Sequence, residues 1–184
     1  MNKVLKRILI GVGILAIILF VASRILISQT KKASPEDLVT YTQGEKKLEV
    51  FYCQPSKKGR EIFGSLVPYG EVWRTGANEA STFEISHDII VEGKSLPAGK
   101  YTLWTIPNPN QWTVIFNSKM YGWGVNFSEE AQREAEHDAL TIEVPVQQTS
   151  NVIELFTIEV DENPSLGMSL AWDQTMVRVP FSWK

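Results

Sequence analysis

The sequence predicts an all-β protein, an antiparallel β-sandwich (jelly-roll-like) with one short helix, preceded by an N-terminal transmembrane helix. Two observations predict this class. From residue 46 onward the chain consists of short runs rich in β-branched and aromatic residues, separated by clusters of Gly, Pro, Asn and Asp, which is the pattern of antiparallel strands joined by turns. Near the amino terminus an apolar run begins at Ile8 and is long enough to cross a bilayer.

The first 27 residues are expected to place the protein in a membrane. Residues 1–7 contain Lys3, Lys6 and Arg7 and are expected to form a cytoplasmic tail, because positive charge is retained on the cytoplasmic side. Residues 8–27 are expected to be the transmembrane anchor. This topology places the remainder of the chain outside the cytoplasm, in the periplasm or at the cell surface.

A cleaved signal peptide is the alternative to an anchor, since Val21, Ala22 and Ser23 form a tolerable cleavage site. Residues 28–45 are polar and contain Pro and Gly, which is the composition of a linker. The folded domain is therefore expected to cover residues 46–184.

The predicted strands follow one another at short, regular intervals. Alternation is clearest in "KYTLWTI", where Tyr101 and Leu103 share one face while Thr102 and Trp104 share the other. One helix is expected from Ser128, a suitable N-cap followed by acidic residues. The strands are expected at 47–54, 81–86, 88–92, 100–106, 112–117, 139–146, 152–160, 168–172 and 175–181.

Composition narrows the functional classes. A length of 184 residues fits one domain and an appendage, and a formal net charge of -3 provides no basic field for phosphates, so no nucleic acid partner is expected. Cys53 is the only cysteine, so an intrachain disulfide is excluded. Because Cys53 lies in an apolar run, we expect a buried, inert thiol.

No metal and no cofactor are expected. His87 and His137 each precede an Asp, but neither pair has the spacing of a metal-binding motif. The sequence also lacks a phosphate-binding Gly loop, a nucleophile elbow and a CxxC motif.

The segment "YGEVWRTGANEAS", residues 69–81, is the main candidate site, because strand-like alternation stops there within a long connection. Arg74 offers a planar fork of donors, Asn78 donates and accepts, and Glu79 accepts or carries a proton. Small residues at this point allow close backbone approach to a ligand. The predicted ligand-binding residues are Trp73, Arg74, Thr75, Gly76, Asn78, Glu79 and, from a second segment, Trp123.

Trp123 lies between two glycines in "MYGWGVNF", which predicts an exposed turn that presents an indole. The structural alternative is that Arg74 and Glu79 form a buried ion pair that holds the loop while Trp73 closes one end of the sandwich.

The sequence resembles the domain-of-unknown-function 2911 family, a family of bacterial, often exported proteins. The resemblance is carried by "KKGREIFGSLVPYGEVWRTGANEAS", by "LPAGKYTLWTIP" followed by "WTVIFN", and by "MSLAWDQTMVRVPF". It covers about residues 46–183. It implies an exported β-sandwich and no particular reaction, and it implies that the WRTGANE residues form the characteristic site.

The leading hypothesis is a membrane-anchored, extracytoplasmic domain that binds a small polar or anionic ligand through the WRTGANE loop. One alternative is an envelope hydrolase in which Glu79 acts as general acid or base and Arg74 stabilises negative charge. Another is a structural or interaction scaffold of the cell envelope. The sequence leaves open whether the protein is an enzyme.

Overall fold

The structure is a computed structural model that describes residues 2–184, and for Lys3 it describes the backbone. Met1, part of the predicted tail, lies outside the described residues. The chain divides into two compact units, Met1–Ala33 and Ser34–Lys184. The boundary therefore lies twelve residues before the predicted start of the domain at residue 46, by subtraction of the two positions.

The first unit is the helix α1, Lys3–Ala33. Its segment Val4–Ala33 is long and apolar enough to cross a membrane, as either an anchor or a signal sequence would be. The helix continues past residue 27 because no Gly or Pro occurs between that residue and Pro35. Lys31 and Lys32 lie in its last turn, where positive charge interacts favourably with the helix dipole.

The second unit is an antiparallel β-sandwich, so the predicted fold class is confirmed. Its nine described strands form one sheet with the order β1-β2-β3-β6-β7-β8-β9-β4-β5. The strands are β1 (Glu36–Gln43), β2 (Lys46–Cys53), β3 (Thr82–Ile85), β4 (Ile89–Val91), β5 (Lys94–Leu96), β6 (Gly99–Pro107), β7 (Gln111–Asn117), β8 (Asp138–Asp161) and β9 (Gly167–Trp183).

Two halves of this sheet pack face to face around the core. Tyr52 on β2 packs edge-on against Phe156 on β8, with 5.7 Å between ring centroids, and the amide of Ile158 donates to its hydroxyl. Phe83 on β3 meets Phe181 on β9 at 6.3 Å. The sheet therefore closes over a single aromatic and aliphatic core.

Strand β1 lies within the predicted linker 28–45. Its residues alternate, with Val39 and Tyr41 packed against the core and Leu38 exposed. Gly44 has a φ of 62°, which the tight β1–β2 turn requires. The Gly that suggested a linker is thus a hairpin residue, and its polar neighbours face solvent.

Strands β8 and β9 are each longer than predicted, since each joins two predicted strands. The polar residues between residues 146 and 152 suggested a loop, but the chain stays extended there and the β8–β9 register shifts between Gln148 and Ile153. Strand β5 lies between the strands predicted at 88–92 and 100–106, where no strand was expected. Glu92 and Gly93, with φ of 49° and 74°, form the two-residue hairpin turn that brings it against β4.

The α-helix predicted from Ser128 does not form; a three-residue 3-10 turn, Ala135–His137, lies further along. The side chain of Asn126 accepts hydrogen bonds from the amides of Ser128 and Glu130, and Glu129 has a φ of 64°. These local bonds compete with helix formation, as Asn side chains do at turns.

Candidate functional site

The WRTGANE loop belongs to the long connection between β2 and β3, residues 54–81. The connection is fixed to the fold at its start, where the amide of Lys57 donates to the carbonyl of Glu154 at 2.7 Å. Ile62, Phe63 and Val67 are buried in the core, whereas Leu66 is exposed. The loop is therefore a packed part of the domain.

Trp73 fixes the loop against β6. Its amide donates to the carbonyl of Thr105 and its carbonyl accepts from the amide of Thr105, at 2.7 and 3.0 Å. Its indole packs edge-on against Phe156 at 4.9 Å and stacks near Trp172 at 6.0 Å. Trp73 thus places its ring in the core.

Thr75 and Gly76 bring the loop backbone against β2. The buried Thr75 has a φ of 56°, and its hydroxyl bonds that of Thr105 at 3.2 Å. Gly76 has a φ of 150°, and a Cβ there would lie 3.0 Å from the carbonyl oxygen of Cys53. Glycine is favoured at this position because a Cβ would crowd the β2 backbone and would be strained at this φ.

Asn78 points into the fold. Its side chain is 6% exposed, and Nδ2 donates to the carbonyl of Ser34, the first residue of the domain, at 3.1 Å. Its φ is 56°, a conformation that Asn adopts more readily than most residues. Asn78 therefore ties the loop to the start of the β-domain.

Arg74 and Trp123, predicted from separate segments, meet in the structure. Arg74 Nη1 donates to the carbonyl oxygen of Trp123 at 3.1 Å, and the amide of Ala80 donates to Gly122 at 3.0 Å. Burial lowers the pKa of the Arg74 guanidinium, while the carboxylate of Glu129 acts in the opposite direction. The two loops are thus joined through a half-buried cation and a backbone carbonyl.

Glu79 lies beside the single thiol of the protein. Cys53 Sγ donates to Glu79 Oε2 at 3.5 Å, and Cys53 is fully buried. Burial, reinforced by the negative charge of Glu79, raises the pKa of Cys53 to about 11. The thiol is therefore protonated at neutral pH and is a poor nucleophile.

Glu79 also lines an open groove of about 450 Å³ on the outer face of the sheet. Among the described residues, Glu79 is the member of the predicted site set that lines it. The other lining residues come from β1, β2, β3, β6, the end of the β2–β3 connection and the turn before Trp123: Leu38, Glu49, Phe51, Ala80, Thr82, Glu84, Lys100, Tyr121 and Gly122.

Acidic side chains are concentrated in this groove. Glu49 on β2 and Glu84 on β3 stand directly opposite each other in the strand register. Like charges in that position repel. Each carboxylate has a lysine partner, Lys47 at 2.9 Å from Glu49 and Lys100 at 3.1 Å from Glu84. Glu49, Glu79 and Glu84 therefore all line the groove, and Lys100 also belongs to the lining.

Sequence reasoning missed these groove residues, although a signal for them existed. The segment "LEVF" alternates, so that Glu49 and Phe51 share the outer face while Leu48 and Val50 are buried. Glu84 follows the same rule on β3. The sequence alone does not reveal the β2–β3 register, which places Glu49 opposite Glu84.

A separate cluster has a geometry suited to a cation. Glu134, Glu136 and His137 each place one ligand atom within 4.8 Å of the others. Glu134 already forms an ion pair with Lys119, which holds the pKa of that carboxyl below its usual range. The expectation that the protein holds no metal remains a prediction.

The protein is an antiparallel β-sandwich that follows an apolar N-terminal helix in the sequence. An acidic groove lies beside the long β2–β3 connection. The chain belongs to the DUF2911 family, described as a protein of unknown function, whose family model matches residues 34–181. The match begins at the first residue of the β-domain, twelve residues before the expected position 46. No curated protein and no solved structure matches the chain.

Proposed function

We propose that the protein is a membrane-anchored, extracytoplasmic domain that binds a small polar ligand in the groove beside Glu79. The observation that carries the proposal is the opposed pair Glu49 and Glu84, which lines the same groove as Glu79. Both carboxylates form ion pairs with lysines that partly offset their repulsion, and with Glu79 they give the groove lining three carboxylates to one lysine. A hollow with an excess of charge of one sign is a candidate site for a ligand of the opposite charge.

The groove chemistry favours a ligand that presents hydrogen-bond donors or positive charge. Ionised carboxylates accept hydrogen bonds and donate none, so Glu79 and its neighbours match ammonium and hydroxyl groups. Phe51 and Tyr121 add aromatic surface to the lining, which suits the apolar face of a sugar ring. A volume of about 450 Å³ accommodates a molecule of monosaccharide size.

Arg74 has a supporting role in this proposal. Its Nη1 bonds the backbone of Trp123. By holding the Trp123 turn, it positions Tyr121 and Gly122, which form one wall of the groove. The anionic ligand considered from sequence is therefore less well matched than a cationic or neutral one.

The membrane part of the proposal rests on α1. Its apolar residues satisfy the length needed for a span. The positive residues before Ile8 favour a cytoplasmic amino terminus. The β-domain that follows then lies outside the cytoplasm.

The geometry supports binding better than hydrolysis. Among the described residues, the groove lining contains no Cys, His or Ser. The nearest thiol, Cys53, is protonated at neutral pH, since its pKa is raised to about 11. In the described part of the chain, the three carboxylates and the hydroxyls of Thr82 and Tyr121 line the groove without a histidine that could activate a nucleophile.

A matched series of sugars tests the proposal. D-glucosamine, N-acetyl-D-glucosamine and D-glucuronate are similar in size and carry positive, zero and negative charge. The full chain, reconstituted in lipid nanodiscs, is titrated with each while the melting temperature of the β-domain is followed. We expect glucosamine to raise the melting temperature most and glucuronate least. Equal absence of a shift for all three would reject the binding groove and favour the scaffold alternative.

A further inference from the structure

A second cavity lies on the outer face of β8 and β9, and it shares no lining residue with the groove beside Glu79. Its volume is about 620 Å³. Ile158 of β8 is buried in the core, so its neighbour Glu159 points to the opposite face of the sheet. Ser169 of β9 stands directly opposite Glu159 in the strand register. We name this cavity, which Glu159 and Ser169 both line, the β8–β9 hollow.

The basic residue in the described lining of the hollow, Arg178, is already committed within the fold. Arg178 Nη1 donates to Ser169 Oγ at 2.8 Å and to Asp161 Oδ2 at 3.3 Å. Its Nη2 donates to Asp161 Oδ1 at 2.9 Å and also bonds the carbonyls of Asp161 and Ser165. The terminal nitrogens of Arg178 therefore have no spare donor for an anionic ligand.

Glu159 gives the hollow an excess of negative charge. In the part of the chain that the structure describes, its exposed carboxylate has no ion pair and no hydrogen bond. Asp161, the other carboxylate in the lining, is paired with Arg178 at 2.9 Å. An ionised carboxylate accepts hydrogen bonds and donates none, so Glu159 matches an ammonium group.

Uncommitted polar groups also line the hollow. Ser169 is 8% exposed and accepts from Arg178, but its own hydroxyl proton has no acceptor among the described residues. The side-chain amides of Gln147 and Asn163 are exposed, and within the described chain they form no hydrogen bond. Hydroxyl and amide groups of this kind match a peptide backbone, which offers a carbonyl oxygen and an N–H group.

Apolar side chains provide further surface in the hollow, and its described lining contains no aromatic ring. Ile153 and Met176 are half-buried, and Ala171 is 9% exposed. A lysine side chain carries its ammonium group on a flexible apolar stem, which covers apolar surface while the charge reaches a polar partner. Apolar surface beside an unpaired carboxylate complements both parts of that side chain.

We propose that the β8–β9 hollow binds a short peptide segment that contains a lysine. The ammonium group pairs with Glu159, the stem packs on Ile153 and Met176, and a backbone carbonyl accepts from Ser169. The negative charge of Glu159 disfavours an acidic peptide. This site is independent of the groove beside Glu79, because the two cavities have no lining residue in common.

Three capped tripeptides test the proposal: acetyl-Ala-Lys-Ala-amide and its analogues with norleucine or Glu in the central position. Norleucine keeps the apolar stem of lysine without the ammonium group, and Glu reverses the charge. Each peptide is titrated calorimetrically into the full chain in an uncharged detergent, for the parent and for Glu159→Gln. Glu143→Gln, an exposed carboxylate of the same strand outside the hollow, is the matched control. Glu79→Gln reports on binding in the groove.

We expect the parent to bind the lysine peptide at least about fivefold more tightly than the norleucine peptide and to bind the Glu peptide most weakly. Glu159→Gln should abolish the preference for lysine, whereas Glu143→Gln and Glu79→Gln should retain it. Because Glu159 is exposed, its variant is expected to melt at the temperature of the parent. Equal affinity for the lysine and norleucine peptides, or no binding of either, would overturn the proposal. A preference that Glu79→Gln removes and Glu159→Gln retains would assign the peptide to the groove and would overturn it as well.

Discussion

Arg74 Nη1 donates a hydrogen bond to the carbonyl oxygen of Trp123 across a distance of 3.1 Å. This bond joins two segments that are forty-nine residues apart, by subtraction of their numbers, and it lies where the WRTGANE loop meets the wall of the acidic groove. Arg74, Thr75 and Asn78 make contacts within the domain, and the groove beside them is lined mainly by strand residues and Glu79; the ligand-binding role of the WRTGANE residues stays a prediction.

Arg74→Ala should destabilise the domain by roughly 1–3 kcal/mol. The substitution removes a charge-assisted hydrogen bond and a half-buried side chain, leaving the carbonyl of Trp123 without this donor. Chemical denaturation of the full chain in detergent measures the loss. Lys58→Ala, at an exposed position of the same connection, is the control and should change stability by less than about 0.5 kcal/mol. Equal stability of the two variants would contradict a framing role for Arg74.

Gly76→Ala should lower the free energy of unfolding by about 1–3 kcal/mol. The φ of 150° strains any residue with a Cβ, and that atom would lie 3.0 Å from the carbonyl oxygen of Cys53. Gly122→Ala is the matched control, because a Cβ at Gly122 meets no atom within 4 Å. Thermal unfolding distinguishes the two variants. If Gly76→Ala has the same melting temperature as the parent, the loop backbone does not lie against β2 as described.

Asn78→Ala should be more destabilising than Asn78→Gly. Both variants lose the hydrogen bond to the carbonyl of Ser34, but only Ala is strained at a φ of 56°. The difference between the two is expected to be about 1 kcal/mol, measured by urea unfolding. A larger loss in the Gly variant would show that the left-handed backbone at Asn78 is unimportant.

The stability of the domain should fall with rising pH partly through Cys53. The thiol pKa is raised by burial from its ordinary value of 9.0 to about 11, so above pH 9 the unfolded chain releases a proton that the folded chain retains. This contribution is fully present below pH 9 and is lost as the pH rises through 11.

Buried tyrosines such as Tyr52 titrate in the same range, so the measurement compares two variants. The free energy of unfolding is determined between about pH 8 and about pH 10.5 for the parent and for Cys53→Ala, and we expect the parent to lose roughly 2 kcal/mol more. Identical pH dependence would indicate that the thiol is accessible to solvent. Iodoacetamide labelling of the folded parent at neutral pH should be correspondingly slow.

Glu84→Gln should leave stability nearly unchanged while weakening glucosamine binding. The variant loses the exposed pair with Lys100 but also relieves the repulsion with Glu49, so the two effects offset each other to within about 0.5 kcal/mol. Melting temperature and calorimetric titration measure the two properties on the same sample. A variant that binds glucosamine like the parent would remove Glu84 from the proposed site.

The sequence predicted the antiparallel sandwich and the apolar helix because both have local signals. The alternation in "KYTLWTI" correctly divided Tyr101 and Leu103 from Thr102 and Trp104: the first two belong to the main core, and Trp104 packs edge-on against Tyr121 on the other face. Predictions from local sequence signals were wrong where tertiary contacts determine the local structure. Gly44 suggested a linker, yet it turns a hairpin whose strands pack on the core.

In the candidate site, too, the features with a local sequence signal were predicted and those set by tertiary contacts were not. The WRTGANE loop was identified from its composition, and its proximity to Trp123 was not encoded in either segment alone. Asn78 reads as a ligand contact in the sequence, whereas in the structure it bonds Ser34 within the domain. The groove depends on the register of β2 against β3, which brings Glu49 opposite Glu84. Register follows from the packing of the whole sheet, so a single strand does not reveal it.

We propose that Glu79 and its neighbouring carboxylates bind a donor-rich ligand in the groove. The most direct measurement is the glucosamine affinity of the full chain by titration calorimetry, for the parent, Glu79→Gln and the control Glu143→Gln, an exposed carboxylate on β8 outside the groove lining. We predict that Glu79→Gln weakens binding by at least about tenfold, the loss expected for one charge-assisted hydrogen bond, and that Glu143→Gln binds like the parent. Equal affinity in all three proteins, or tighter binding of glucuronate than of glucosamine by the parent, would contradict the claim.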